Sequence, residues 1–351
     1  MAQRSAKDAI VVGAGLGGLA AARTLQNAGF SVLVVEKSRG VSGRAATRRL
    51  ENGAVVDHGA PFFTVRNESF RQFIQPLERE GIVQVWQYGS HHWKNASIER
   101  SSDGYPRYVA PDGINTLGKA LRDSAPTLNI KQEALVSAIW SNHLGYRVVL
   151  ENGDIHTARA VLVNAPAPQA LTLTHNVLEN QTHNVLEQVK FAPCWALIVG
   201  LDTAPSLPWQ FLKMQHPVFS MASLEHSKHR SMPALVLHAN AEWSSAHLEQ
   251  NSKQVSELML QAAQELFGAW LHQPHQIICH RWRYAQAINP YPEAYLAQDG
   301  LVFCGDWCAP NGNARIETAF ESGLAAAKYL SGYLEQPLSM ILSDEALVNF
   351  N

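Results

Sequence analysis

The stretch IVVGAGLGGLAAARTL, residues Ile10 to Leu25, decides how this chain begins to fold. An apolar strand, Ala9 to Val12, runs into Gly13-x-Gly15-x-x-Gly18, and an Ala-rich helix follows. Gly13 permits the tight turn out of the strand, Gly15 lets a pyrophosphate approach the backbone, and Gly18 lets the helix lie close on the sheet. The first helical turn, carrying Ala14, Leu16 and Gly17 beside it, aims unsatisfied N–H groups and a positive dipole end at the phosphates. A second strand, Ser31 to Val35, ends in Glu36 and Lys37. The Glu36 carboxylate is placed to accept hydrogen bonds from an adenosine ribose. Strand, glycine turn, helix, second strand and terminal acid in this order predict a dinucleotide-binding unit.

The bulk composition narrows the class. The 351 residues exceed one simple core and predict two domains. With 46% hydrophobic residues and a formal charge of −2, the chain lacks the basic surface that nucleic acid or an anionic membrane would require. The opening MAQRSAKD is polar, and no apolar run reaches the ~18 residues of a spanning helix, so a cytoplasmic protein without a membrane partner is expected. The four cysteines lack C-x-x-C spacing and read as reduced thiols, and no metal-ligand spacing occurs among the 15 histidines.

Beyond the opening unit, helical spacing marks Glu68 to Glu80, Ile114 to Leu121, Ser252 to Phe267 and Ile316 to Leu330. Strands are expected at Ala54 to Asp57, across Ile82 to Trp93 with a turn at Tyr88-Gly89-Ser90, and at Asn129 to Ala134, Val136 to Asn142 and Tyr146 to Glu151. Further strands are expected at Ala160 to Asn164, Trp195 to Leu201, Ala234 to Ala239 and Leu301 to Cys304. The tandem copy THNVLENQ/THNVLEQV, Thr174 to Val189, reads as a duplication lengthening one helix. The pattern is α/β, with a nucleotide domain made from both ends of the chain and a β-rich domain between. The expected boundaries are 1–66, 104–170 and 285–335 for the first, 67–103 and 171–284 for the second, and a tail at 336–351.

The late strand end with the helix after it, Gly43-Arg44, and the C-terminal half itself move the cofactor from NAD to FAD, since an NAD dehydrogenase has no need for a late Gly-Asp pair. Gly305-Asp306 ends a late strand and offers a carboxylate to the hydroxyls of a ribitol chain. The helix start Arg315-Ile316-Glu317 directs its dipole at the N1/C2=O side of an isoalloxazine. Gly43-Arg44 adds a cation beside the pyrophosphate. The cofactor-binding set expected is therefore Gly13, Ala14, Gly15, Leu16, Gly17, Gly18, Glu36, Lys37, Gly43, Arg44, Ala45, Gly59, Ala60, Val136, Gly305, Asp306, Arg315, Ile316 and Glu317.

The blocks GAGLGGLAAARTL, EKSRGVSGRAATRR, DHGAPFFT, VLVNAPAPQAL, LVLHANAEWSSAHLE, HRWRYAQA and CGDWCAPNGNARIETAFESGLAAA together resemble bacterial renalase-like proteins of the flavin amine-oxidase superfamily. The resemblance runs from about residue 8 to 330. It implies a p-hydroxybenzoate hydroxylase type of fold, non-covalent FAD, and oxidation of 2- and 6-dihydro isomers of NAD(P)H to NAD(P)+ with O2 reduced to hydrogen peroxide. An oxidase of an amine or another small molecule on the same fold, and a flavin-binding protein without turnover, are the competing readings. One departure stands out: after Asp57-His58-Gly59-Ala60 this chain carries Pro61-Phe62 where renalases usually carry Gln-Tyr. A Phe62 ring has no hydroxyl to orient substrate.

A dihydropyridine that gives up hydride becomes an aromatic cation and needs no strong base, so its site needs groups that position a carboxamide and stack on a ring. His238, at the end of LVLH, is the leading substrate-contact candidate, Trp282 and Tyr284 are candidate walls, and Phe62 is counted with the substrate site. Arg283 and Arg281 alternate with Trp282; each is open to a substrate phosphate, the flavin carbonyl edge or a surface ion pair.

Overall fold

The computed structural model describes residues 7–94, 97–142 and 144–336. Residues 1–6 and, of the expected tail, residues 337–351 lie outside the described residues. The chain divides into two compact units, one made of residues 1–43, 117–190 and 287–351, the other of 44–116 and 191–286. Residues 44–66 and 104–116, placed by sequence in the dinucleotide domain, fall in the second unit.

The first unit is built on an eight-stranded sheet. Its parallel centre runs Leu301–Phe303, Ile155–Val163, Lys7–Val12, Val32–Val35, Asn129–Lys131, the strands Val-, Ile- and Leu-rich because helices and loops cover both faces. Leu296–Gln298 adds an antiparallel edge, and the meander Val136–Asn142, Gly145–Leu150 extends from Ile155–Val163. The helix Leu16–Asn27 packs on Ile316–Glu335 through small residues. A Cβ on Gly323 would stand 2.1 Å from the Gly17 carbonyl, so both helices approach to backbone contact. That contact brings the start of the late helix to the glycine turn.

In the second unit, seven strands run in the order Gln276–Ala287, Phe191–Gly200, Ala234–Ala239, Phe219–Leu224, Phe211–Met214, Gln84–Lys94, Ser97–Val109. The expected turn at Gly89 is instead an irregularity inside one strand: pairing shifts between Tyr88 and Ser90, Gly89 takes φ +79°, and the strand continues to Lys94. A bulge keeps both halves on one partner, which a turn would not. The tandem THNVLE copies differ likewise from expectation. The first lies between Ala167–Thr174 and Asn180–Gln188, so only the second copy is helical and two helices replace the lengthened one.

Each face of this sheet has its own cover. On one, Trp195, Leu197, Leu212, Leu235 and Leu237 bury against Val255, Met259 and Ala263 of the helix Ser252–Phe267. On the other, the hairpin Thr47–Arg49/Val55–Asp57 lays Leu50, Ala54 and Val56 over Ile198, Ala234 and Val236. The hairpin is fixed by four buried charges. Asp57 accepts from Arg230 (2.6 Å), Lys228 (3.4 Å), the Thr47 hydroxyl and the Ile114 N–H. Glu225 pairs with Lys228 and Arg230 and accepts the Asp57 N–H at 2.9 Å. Burial opposes the Asp57 charge, but Lys228 and Arg230 outweigh it and hold its carboxyl below the ordinary range.

Two acids against two bases leave no uncompensated charge, and removing one partner strands the others in a dry environment. Arg230→Met is therefore expected to cost about 3–5 kcal/mol in urea unfolding. A loss below about 1 kcal/mol, the range of exposed pairs, would show that the cluster does not hold the hairpin.

Candidate functional site

In the first unit the glycine turn closes around Asn164, which follows the strand Ile155–Val163 and precedes Ala165-Pro166. Asn164 donates its backbone N–H to the Val12 carbonyl. Its side chain lies so close to the turn that a Cβ on Gly15 would stand 2.7 Å from Nδ2 and one on Gly17 2.9 Å from Oδ1. Gly13 takes φ +99°, and its Cβ would meet the Asn164 carbonyl at 2.6 Å. Ser42 N–H donates to the Ala14 carbonyl, which sets Gly43 over Gly15. Glu36 is buried, and its carboxylate accepts from Ala14 N–H at 2.7 Å and Ser38 N–H at 2.8 Å. Val136 begins a strand two residues after Ala134, whose N–H bonds the Glu36 carbonyl.

The residues present fit FAD. The helix Leu16–Asn27 has no side-chain cap and no acid in its first turn, so its N–H groups face a phosphate without competition. Close packing at Gly13, Gly15 and Gly17 excludes any side chain from the approach. Glu36 has lone pairs beyond the two it uses on backbone N–H groups, as a ribose diol requires. Gly305 and Asp306 follow the strand Leu301–Phe303, and Arg315 caps the helix that carries Ile316 and Glu317. Lys37 is exposed. Arg44, Ala45, Gly59 and Ala60 belong to the second unit, where the Arg44 guanidinium donates to the Ala285 carbonyl at 3.0 Å.

The second unit gathers its chemistry around one carbonyl. His58 directly follows Asp57, and its carbonyl oxygen accepts from Trp282 Nε1 at 2.9 Å and from His238 Nε2 at 3.1 Å. Because a carbonyl only accepts, His238 carries its proton on Nε2 and presents a bare Nδ1. The His58 ring stacks on Trp282 with centroids 5.4 Å apart, and His280 meets both edge-on. Phe62 continues the wall with Phe211 at 5.0 Å and Trp86 at 6.4 Å, the Arg107 guanidinium lying over its ring. Met221 and Lys213 follow His238 across the sheet in register, on the same face.

Of the four residues expected to serve the substrate, His238 and Trp282 meet at one atom, and Phe62 belongs to the adjoining aromatic cluster. Arg283 is not brought to them: it alternates with Trp282 and forms a two-pronged pair with Glu249, half-exposed. Sequence reasoning missed Asn164, His58 and His280. The signals were there in part: Asn164 directly follows the apolar strand that pairs with the first one, and His58 adjoins the buried Asp57. The thiols offer no nucleophile, since burial pushes Cys194 and Cys279 up to about 12 and raises Cys304 and Cys308 as well. Among the described residues no cluster is arranged to hold a metal ion, and no helix is long and apolar enough to cross a membrane.

Comparison with known proteins agrees with this architecture. Residues 81–331 match the family described as flavin containing amine oxidoreductase, and residues 11–77 match an NAD(P)-binding Rossmann-like domain. An L-amino acid dehydrogenase of Synechocystis is 39% identical over 196 residues, which are 50% of this chain and 42% of that protein. A putrescine oxidase of Kocuria rosea is 31% identical over 134 residues, 38% of this chain and 24% of that protein. The chain thus spans less than half the length of these curated relatives. In fold, a putrescine oxidase bound to putrescine superposes with a TM-score of 0.73 at 14% identity, over 93% of this chain and 99% of the other. Cyclohexylamine oxidase from Brevibacterium oxydans gives 0.73 at 12% identity, over 95% and 100%. The fold likeness is to amine oxidases rather than specifically to p-hydroxybenzoate hydroxylase.

Burial sets the charge state of the imidazoles. It lowers His58 to about 3, aided by His280 and Arg48, and lowers His238 to about 4. Burial and then Arg48 lower His280 too. At neutral pH the two imidazoles at the carbonyl are uncharged. Their unfolded counterparts protonate near 6.5, so the unfolded state binds more protons below that value. Stability is fully present above pH 6.5 and declines as pH falls through the window down to about 4 for His238 and about 3 for His58. Urea unfolding between pH 7 and 4 is expected to show this decline, and His238→Asn to flatten it. An unchanged slope in that variant would mean that His238 is not held neutral.

Proposed function

Because the chain belongs to the flavin-containing amine oxidoreductase family, a family of FAD-dependent oxidoreductases, we propose that it oxidises 2- and 6-dihydro isomers of NAD(P)H to NAD(P)+, as its resemblance to renalases implies. The observation that carries this reading is the uncharged character of the cluster at the His58 carbonyl. Imidazoles with conjugate acids as strong as these are poor bases for an ammonium substrate, whereas a dihydropyridine loses hydride without one. Bound FAD would supply the two-electron acceptor, and its reoxidation would give hydrogen peroxide from O2, the electron pair and two protons, one from the hydride and one from solvent.

The chain's own residues orient the donor. His238 Nδ1 accepts a carboxamide N–H, and the Trp282 indole, locked by its bond to the His58 carbonyl, presents a flat wall. Phe62, Trp86 and Phe211 add apolar surface to that face, and excluding water there favours hydride loss. Phe62 supplies surface where a tyrosine would supply a hydrogen bond, which shifts recognition onto the imidazoles.

The second reading, oxidation of an amine, draws support from the names of matched relatives such as the putrescine oxidase. Oxidases of that kind use a lysine near the flavin. In this chain Lys228 is fully buried and committed to the ion cluster with Asp57 and Glu225, whereas Lys213 shares the sheet face of His238 and is the lysine this second reading would use. Anaerobic mixing of the yellow protein with NADH enriched in the 2- and 6-dihydro isomers is expected to bleach the flavin rapidly, while ordinary NADH and a polyamine panel leave it oxidised. Bleaching by an amine alone would overturn the reading in favour of the second, and no bleaching by any donor would overturn both.

A further inference from the structure

The backbone of His58 is accounted for, but one of its ring nitrogens is not. Its carbonyl is spent on His238 and Trp282, while its backbone is fixed by the preceding Asp57 in the ion cluster. The residue is 6% exposed, yet ring Nδ1 has no hydrogen-bond partner among the described residues. Leaving a buried polar atom unsatisfied costs about 1–3 kcal/mol. Other unsatisfied atoms are less telling. Arg107 Nε belongs to a guanidinium already bonded to Asp103 and the Tyr105 carbonyl, and His91 is only half-buried. His58 is different because it stands between flat surfaces: Trp282 is near-parallel to it at 25°, and His280 is edge-on at 4.9 Å.

We propose that His58 Nδ1 is a ligand-binding atom that completes its hydrogen bonding with the amide-type substituent of a planar heteroaromatic substrate. The inference rests on the reading that the substrate lies against this face, and it adds a second polar contact to the one the bare His238 Nδ1 offers. His238 Nδ1 accepts the amide's N–H, and His58, in the tautomer with its proton on Nδ1, donates to the amide oxygen, so a ring lacking the substituent loses both. His58 then contributes to recognition of the ring's substituent rather than to proton transfer.

Asparagine and glutamine separate this role from packing, since both delete the ring while Asn returns a polar atom near the Nδ1 position and Gln near Nε2. The holoenzyme is titrated with nicotinamide, and with pyridine as the ring without the amide, following the flavin spectrum and calorimetric heat. Wild type is expected to prefer nicotinamide; His58→Asn keeps its Kd within about threefold, while His58→Gln and His58→Leu weaken it about tenfold or more, equivalent to ~1.4 kcal/mol. In turnover, the Gln and Leu variants raise KM more than they lower kcat. Equal effects of Asn and Gln, or wild-type binding by Leu, would overturn the proposal. So would a shifted flavin spectrum in ligand-free His58→Gln, which would give the nitrogen to the cofactor. A readout needing no variant is the His58 Nδ1 resonance of 15N-histidine-labelled wild type, which should move with nicotinamide and not with pyridine. Failure of wild type to bind nicotinamide sinks this assignment even if dihydro isomers bleach the flavin. Binding without bleaching keeps the assignment and overturns the oxidase reading.

Discussion

The hydrogen bonds to the His58 carbonyl are the constraint on which the second unit's chemistry depends. One backbone oxygen takes both the Trp282 indole N–H and His238 Nε2, and so sets the tautomer of one ring and the tilt of another. That oxygen is itself held in place by its neighbour, because Asp57 is tied into a four-charge cluster with Glu225, Lys228 and Arg230. Buried ion pairs seldom add net stability over well-packed apolar groups. Here the cluster's contribution is position: it fixes the hairpin over the sheet and thereby the residue that follows it.

Two kinds of preorganisation meet in the one chain. The first unit makes a cradle by leaving side chains out: Gly13, Gly15 and Gly17 crowd Asn164 so tightly that no Cβ fits, and the helix behind them is left without a cap. The second makes a platform of rings whose polar atoms are neutral and whose directions are set by backbone. With its imidazoles neutral, this face offers hydrogen-bonding atoms and flat apolar surface and no charge.

Much of the first unit was legible in the sequence because its requirements are local. Gly13-x-Gly15-x-x-Gly18 followed by Glu36 states a strand, a turn and a helix within one βαβ unit, and Gly305-Asp306 repeats the signal at a strand end. The second unit was legible only in part because its contacts join distant segments. His238 and Trp282 stood out as residue types, but their convergence on His58 needs pairings across 180 and 224 positions. Arg283 had no local signal to separate a substrate contact from its pair with Glu249. The THNVLE copy shows the same limit: identical hexapeptides become a connector and a helix because neighbours, not propensity, decide.

The central claim is that a single carbonyl holds His238 as a neutral imidazole with its proton on Nε2. The direct measurement is the 15N chemical shifts of the His238 ring in histidine-labelled holoenzyme at pH 7, assigned by loss of the signal in His238→Asn. The account predicts a protonated Nε2 and a bare Nδ1, unchanged down to about pH 5 because burial lowers the ring to about 4. A proton on Nδ1 alone, or an imidazolium at neutral pH, would contradict it.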